Sequence, residues 1–169
     1  MIFVTIGSMF PFDRLIQVMD AWALANPDQD VLAQIGDGAY EPKHMKFVRR
    51  LSQTEFGQTV ARAALIVSHA GMGTVITAGR AGRPMVLLPR LQEWGEHTTD
   101  HQIATANWLG GKPGIHVAPT DADLPAAIVV ALADQGTGPR ITPVADAAFT
   151  DRLRTAIRGF NNSVKVTVQ

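Results

Sequence analysis

The sequence predicts an α/β fold, a doubly wound and mostly parallel sheet of about six strands. Three observations carry this expectation. Short β-branched apolar runs alternate along the chain with segments patterned at helical spacing. Most of those runs are apolar on both faces, which suits parallel strands covered by helices on each side. The chain has 169 residues, 46% of them hydrophobic, enough for one sizeable core and too few for two catalytic domains.

The strands read, in order, as Ile2-Ile6, Asp30-Ile35, Lys46-Leu51, Ala64-Ser68, Pro84-Leu88 and Ile115-Ala118. Between the first two, Asp13 is placed to cap a helix whose Leu15, Ile16, Met19, Trp22 and Ala23 form one apolar stripe. Thr54 is placed to cap a second helix running to Ala63. Further helices are expected from Met72 to Ala81, Thr99 to Trp108 and Asp121 to Asp134.

These elements make residues 1–134 one α/β domain. Residues 135–169 read as a connector, an amphipathic helix and a tail. The connector is marked by Gln135-Gly136-Thr137-Gly138-Pro139-Arg140 and Thr142-Pro143. In the helix, Phe149, Leu153, Ala156, Ile157 and Phe160 share a face that must be buried against this domain or against another chain. The alternation from Ser163 to Val168 suits either a short edge strand or a frayed end.

Composition excludes several classes of function. Fifteen basic against fifteen acidic residues give no sign of a nucleic-acid binder, so none is expected as a partner. The absence of cysteine removes disulfides and thiolate metal sites. The first apolar run follows Met1 directly and ends at Gly7-Ser8, a core strand rather than a secretory signal. The longest purely apolar stretch, Ala126 to Ala133, is far short of the roughly 20 residues of a membrane helix.

In a parallel sheet the turns that follow the strands gather at one edge. That edge would collect Gly7-Ser8, the turn Ser68-His69-Ala70-Gly71-Met72-Gly73-Thr74, and the segment Pro89 to Gln102. In the second of these, small residues open a helix, where free N–H groups and the helix dipole favour an anion such as a diphosphate. His69 and the hydroxyls of Ser68 and Thr74 would add donors. The competing explanation is that the glycines serve tight helix packing and that His69 is a satisfied core histidine. Gly71-x-Gly73 lacks the third glycine of a dinucleotide fingerprint, and Gly111-Lys112 runs into Pro113 rather than completing a Walker loop.

Glu93 to Gln102 is unusually polar for a chain that is 18% charged. Its His97 and His101 share a helix face, as a metal pair would, but the glutamate of the zinc-protease pattern is missing. Asp100 and Gln102 could instead meet sugar hydroxyls, or the cluster could simply cap a surface helix.

Several of these segments together resemble the carboxy-terminal, donor-binding half of family 28 glycosyltransferases of the GT-B type. They are Phe3-Val4-Thr5-Ile6-Gly7-Ser8 with Phe12-Asp13-Arg14-Leu15, Ala33-Gln34-Ile35-Gly36, His69 to Thr74, and Glu96-His97 with Asp100-His101-Gln102. The resemblance covers nearly the whole chain and is nearest to single-domain members, such as PssE-like exopolysaccharide subunits and the catalytic subunit of the dolichol-linked N-acetylglucosaminyltransferase.

The resemblance implies that a UDP-sugar is the donor, with no further cofactor and no metal. Its diphosphate would be held by Ser68, His69, Gly71, Met72, Gly73 and Thr74, and approached by Gly7 and Ser8. His69 would carry the catalytic role. Glu96, His97, Asp100, His101 and Gln102 would form the segment at the donor sugar, and Leu51 would flank the uracil or be an ordinary core leucine. Where many relatives carry an acidic residue for the ribose, this chain has Thr77.

The resemblance further implies inverting transfer to a polyprenyl-diphosphate-linked sugar, in exopolysaccharide or glycolipid synthesis. The acceptor would be brought by a membrane-anchored partner subunit that recruits this cytoplasmic chain to the membrane. A nucleotide-sugar-binding or stabilising subunit and a metal-dependent hydrolase are the competing classes.

Overall fold

The computed structural model describes residues 1–134, 138–139, 141 and 144–164. The strands are β1 (Ile2–Thr5), β2 (Val31–Gln34), β3 (Lys46–Val48), β4 (Leu65–Ser68), β5 (Met85–Leu87) and β6 (Ile115–Val117). The helices are α1 (Asp13–Ala25), α2 (Gln53–Arg62), α3 (Met72–Arg80), α4 (His101–Leu109), α5 (Leu124–Ala133) and α6 (Ala147–Val164).

All five strand pairings are parallel, in the order β3-β2-β1-β4-β5-β6. The sheet is doubly wound, and the order reverses between β1 and β4. Alternation along each strand sends neighbouring side chains to opposite faces. Ile2 and Val4 join α1 and α5 in one core, which includes Leu15, Met19 and Ile128. Phe3 points the other way into a second core with Val60, Val75, Ala78, Ala106 and Leu109 of α2, α3 and α4. Every residue of β1 and β4 is buried, as runs apolar on both faces require.

The helix starts differ from expectation in physically clear ways. Asp13 does not cap α1; it is the first helical residue, Phe12 occupies the cap position, and the Asp13 carboxylate accepts the N–H of Ala39 at 3.1 Å. Thr54 does not cap α2. Ser52 does, through a reciprocal box in which Ser52 Oγ accepts from Glu55 N–H and Glu55 accepts from Ser52 N–H.

The segment expected as one helix from Asp121 is a 3₁₀ turn, Asp121–Asp123, capped by Thr120, followed by α5. The helix expected from Thr99 begins at His101.

The last helix is present, but its apolar stripe is not buried against this domain. Phe149, Leu153, Ile157 and Phe160 are 47%, 50%, 54% and 75% exposed. In the connector, Gln135, Gly136, Thr137, Arg140, Thr142 and Pro143 lie outside the described residues. Of the alternating tail, Ser163 and Val164 end α6, and residues 165–169 lie outside the described residues. Among the described residues no helix is long and apolar enough to cross a membrane.

Candidate functional site

The strand order reverses between β1 and β4, so the loops leaving their carboxyl ends run to opposite faces and part, leaving a crevice where ligands bind in open α/β sheets. A cleft of about 590 Å³ lies there. Its walls come from the β1 loop (Ile6 to Phe10), the end of β2 (Gln34), Leu51 before α2 and Gln53 and Phe56 in its first turn, and the β4 turn with α3 (His69, Gly73, Thr74, Thr77). The β5 loop closes it with Arg90, His97 and Gln102.

His69 follows the last residue of β4, and its ring is wedged between two glycines. A Cβ on Gly7 would lie 2.6 Å from His69 Cε1, and one on Gly71 would lie 2.0 Å from Nε2. Gly7 also has a φ of +76°, which favours glycine independently. Gly73 is different: a Cβ there would meet nothing within 4 Å. The two glycines of Gly71-x-Gly73 therefore do separate things. Gly71 makes room for the imidazole, and Gly73 leaves room in the cleft.

Burial foremost, then the charge of Arg90, lowers the His69 pKa to about 4, against an opposing effect of the Thr5 backbone and with a further lowering by His97. The ring is neutral at physiological pH, so one of its nitrogens carries a proton and the other a lone pair. Its Nδ1 is buried without a hydrogen-bond partner.

Beside it, α3 starts at Gly71 with no side-chain cap, and Val75 N–H to Gly71 C=O, 3.2 Å, is its first bond. The amides of Met72, Gly73 and Thr74 thus have no intrahelical acceptor, an anion-binding arrangement at the positive end of the helix dipole.

The β1 wall is fixed from below. Thr5 Oγ1 donates to Gln34 Oε1 at 2.6 Å, and Gln34 Nε2 donates to Gly7 C=O at 3.2 Å. The β5 loop is fixed by two arginines whose roles the sequence reading missed. Arg14 on α1 forks onto the Glu96 carboxylate with two bonds of 2.8 Å and reaches Asp121 and the Pro89 carbonyl at the same distance. Arg90 is 2% exposed and donates to the carbonyls of Ile6, Phe10, Pro11 and Glu96. The one available signal was position: Arg90 is a charged residue three positions beyond the apolar strand β5, where the chain turns into the ligand-side edge.

The structure brings Gly7, Ser8, Leu51, His69, Gly73, Thr74, Thr77, His97 and Gln102 to the cleft. It does not bring the others to its lining. Ser68 is fully buried and its hydroxyl donates to the His69 carbonyl at 2.9 Å. Gly71 accommodates the ring, and Met72 is a 42% exposed residue outside the lining. Glu96 is engaged by Arg14 and by the N–H of Leu91 at 2.9 Å. Asp100 accepts the N–H of Gln92 at 2.8 Å, and His101 shares a 2.7 Å hydrogen bond with the Thr99 hydroxyl.

Within the cleft, Thr77 Oγ1 donates back to the Gly73 carbonyl at 2.9 Å, so its proton is already used. Gln102 is buried, and its Oε1 accepts the Arg90 N–H at 3.2 Å. The His97 ring packs edge-on between Phe10, at 5.3 Å, and His101, at 4.5 Å. Burial, then the nearby His101 and Arg90, lowers the His97 pKa. Among the described residues no three histidines or carboxylates group as they would around a metal ion.

Comparison with known proteins bears on the family and the fold. The profile of the family described as "Glycosyltransferase family 28 C-terminal domain" matches residues 1–127. Among solved structures, the glycotransferase of kitacinnamycin superposes with a TM-score of 0.56 and 20% identity over 93% of this chain. CalG4, the calicheamicin glycosyltransferase, superposes with a TM-score of 0.54 and 23% identity over 93% of this chain. The chain spans 38% of the length of each. None of the curated proteins compared matches it.

Proposed function

The chain belongs to the family of glycosyltransferase family 28 C-terminal domains, and from that premise we propose that its cleft binds the UDP-sugar donor of an inverting sugar transfer. One observation carries the reading most. At the crevice where the strand order reverses, the unpartnered amides of the first turn of α3 stand beside a neutral His69, donors without a competing carboxylate in the cleft lining.

A diphosphate laid there would rest on the amides of Gly73 and Thr74, with the imidazole against it. Ser8 would face it from the β1 loop. As the bond from the anomeric carbon to the diphosphate oxygen breaks, negative charge grows on that oxygen, and fixed donors stabilise it without reorganising. The same charge would favour protonation of His69, whose ring is held neutral in the free protein. Leu51 and Phe56, which also line the cleft, would flank the base. Thr77 offers only hydroxyl lone pairs to the ribose, because its proton is engaged.

The acceptor and the general base belong, in this proposal, to a membrane-anchored partner subunit carrying a polyprenyl-diphosphate-linked sugar, in exopolysaccharide or glycolipid synthesis. The partner would recruit this chain to the cytoplasmic face of the membrane. What supports a partner is α6, whose Phe149, Leu153, Ile157 and Phe160 lie half or more exposed along one face.

Titration calorimetry with UDP, with magnesium and with EDTA, tests the donor site. Micromolar-range binding that is indifferent to EDTA is expected. Binding only with metal would point to a hydrolase, and no binding would overturn the reading. Deleting residues 145–169 should abolish co-purification with the acceptor subunit, whereas undiminished complex removes α6 from the interface. Sugar transfer to a lipid-linked acceptor by this chain alone would remove the partner.

A further inference from the structure

Arg90 is the bulkiest of the fully buried side chains. It stands three residues beyond the end of β5, and the water it gives up is replaced by carbonyl oxygens. Nη1 donates to Pro11 at 2.6 Å and to Glu96 at 3.0 Å; Nη2 donates to Ile6 and to Phe10, both at 2.7 Å. The Phe12 ring lies 4.6 Å from Cζ. These bonds tie the whole β1 loop to the β5 loop.

They do not supply a counter-ion. No carboxylate is within ion-pair distance of Arg90 among the described residues. Glu96, which meets Arg90 through its backbone, turns its carboxylate to Arg14, and Asp121 pairs with Arg14 as well. Neither carboxylate lines the cleft, whereas Arg90 does. The four charges of this group are thus laid out with the negative ones on the α1 side and a cation on the cleft side.

A buried ion that contacts dipoles but no opposite charge is costly to keep: burial foremost pulls the Arg90 pKa down to about 10, the Glu96 charge beyond contact distance opposes this and the Arg14 charge adds to it, and the group is still charged at neutral pH. Fastening two loops does not by itself require that charge. An anionic ligand would use it.

We propose that the donor's diphosphate is the missing counter-ion of Arg90. Arg90 is then a positioning residue of the donor site, which holds the β1 loop against the β5 loop and directs a fixed positive charge into the cleft. It acts through the loop and through its field rather than by touching the phosphates. The inference rests on the UDP-sugar reading above and names the group that would set its selectivity for the charged part of the ligand.

The test compares UDP with uridine, which shares the base and ribose but has no phosphate, by chemical-shift titration of the 169-residue chain. Arg90→Met should weaken UDP by roughly ten- to hundredfold, the Coulomb range for unit charges about 6–12 Å apart at an effective dielectric constant of about 20, and change uridine by less than about threefold. Arg90→Lys keeps the charge but cannot span four carbonyls. It should hold the ratio of UDP to uridine affinity within about threefold of wild type even where both affinities fall. Melting without ligand shows which variants are folded, and Arg90→Gln, neutral but still a donor, carries the same expectation as Arg90→Met if the latter is not folded.

Equal losses for UDP and uridine in Arg90→Met would show a loop fastener only and overturn the proposal. Unchanged UDP affinity in that variant, or a selective loss of UDP in folded Arg90→Lys, would overturn it too. If the wild-type chain binds neither compound, the donor-site reading fails first and takes this inference with it. Wild-type binding that survives loss of the charge sinks the inference alone.

Discussion

Gly71→Ala isolates the wedge that holds His69. The backbone at Gly71, φ −97° and ψ 126°, lies in the extended region that alanine adopts freely, so the substitution meets no conformational barrier. What it meets is the imidazole. The new methyl would sit 2.0 Å from Nε2 and 2.7 Å from Cδ2, about 1.5 Å inside a normal contact of about 3.5 Å. The ring cannot yield toward Gly7, because there the space is also only glycine-sized. It must swing out of its slot.

The overpacking should cost about 1–3 kcal/mol, with about 1 kcal/mol more for replacing glycine by alanine at a helix cap. A double-mutant cycle separates the two. In a His69→Ala background the overpacking vanishes, and Gly71→Ala should then cost only about 1 kcal/mol, the cap contribution.

Urea denaturation supplies the stabilities. NMR titration of the His69 Cε1–H gives a second reading: its pKa, about 4 in the wild type, should return toward the ordinary 6.5 once the ring leaves its buried slot. Equal costs in both backgrounds, together with an unmoved His69 pKa, would refute the wedge.

Three other outcomes follow from the same geometry. Gly73→Ala, where a Cβ meets nothing, should leave the free protein as stable or up to about 1 kcal/mol more so by melting, yet weaken UDP about tenfold or more; unchanged affinity would mean that this space is not ligand space. His69 is neutral in the folded chain down to about pH 4 but protonates near 6.5 when unfolded, so the folded state loses stability as pH falls through that window. The loss should approach about 3 kcal/mol, and the slope should flatten in His69→Leu when urea midpoints are compared from pH 7 to pH 4. Asp20→Asn should cost about 1–3 kcal/mol, because the buried carboxylate accepts from Tyr40 Oη and from the N–H groups of Lys43 and His44. Hydrogen exchange at those two amides should accelerate first.

The strands were readable because both faces of the central ones are covered, which leaves continuous apolar runs such as Ile2 to Ile6. The caps were not, because neighbouring polar residues compete for one position. Asp13 and Ser52 both precede apolar stripes, but the Asp13 carboxylate is drawn to a backbone N–H 26 residues away, a contact that periodicity cannot reveal. The turn at His69 to Thr74 stood out in the sequence as a glycine-rich helix start, and the structure places His69, Gly73 and Thr74 at the cleft.

What spacing concealed was the division of labour inside that turn. Gly7, His69 and Gly71 meet only because β1 and β4 are neighbours in the sheet. Arg90 stayed hidden for a related reason. A charged residue at the end of a strand looks the same whether it points to water or into the protein, and only the carbonyls of the β1 loop decide it.

The polar residues that looked most like ligand-binding groups in the sequence are largely the ones the protein uses on itself. Ser68 and Thr77 donate to carbonyls, Asp100 and Glu96 accept from backbone N–H groups, and Glu96 also holds Arg14. Each is committed before any ligand arrives. Along the strand-reversal crevice, the amides of the first turn of α3, Ser8, the neutral ring of His69 and the Arg90 guanidinium, which contacts no carboxylate among the described residues, remain for the proposed donor. Among the described residues no carboxylate lines the cleft to oppose an anion there. In the donor-site proposal, selectivity for a charged group at this edge would follow from which side chains are already occupied as much as from which are present.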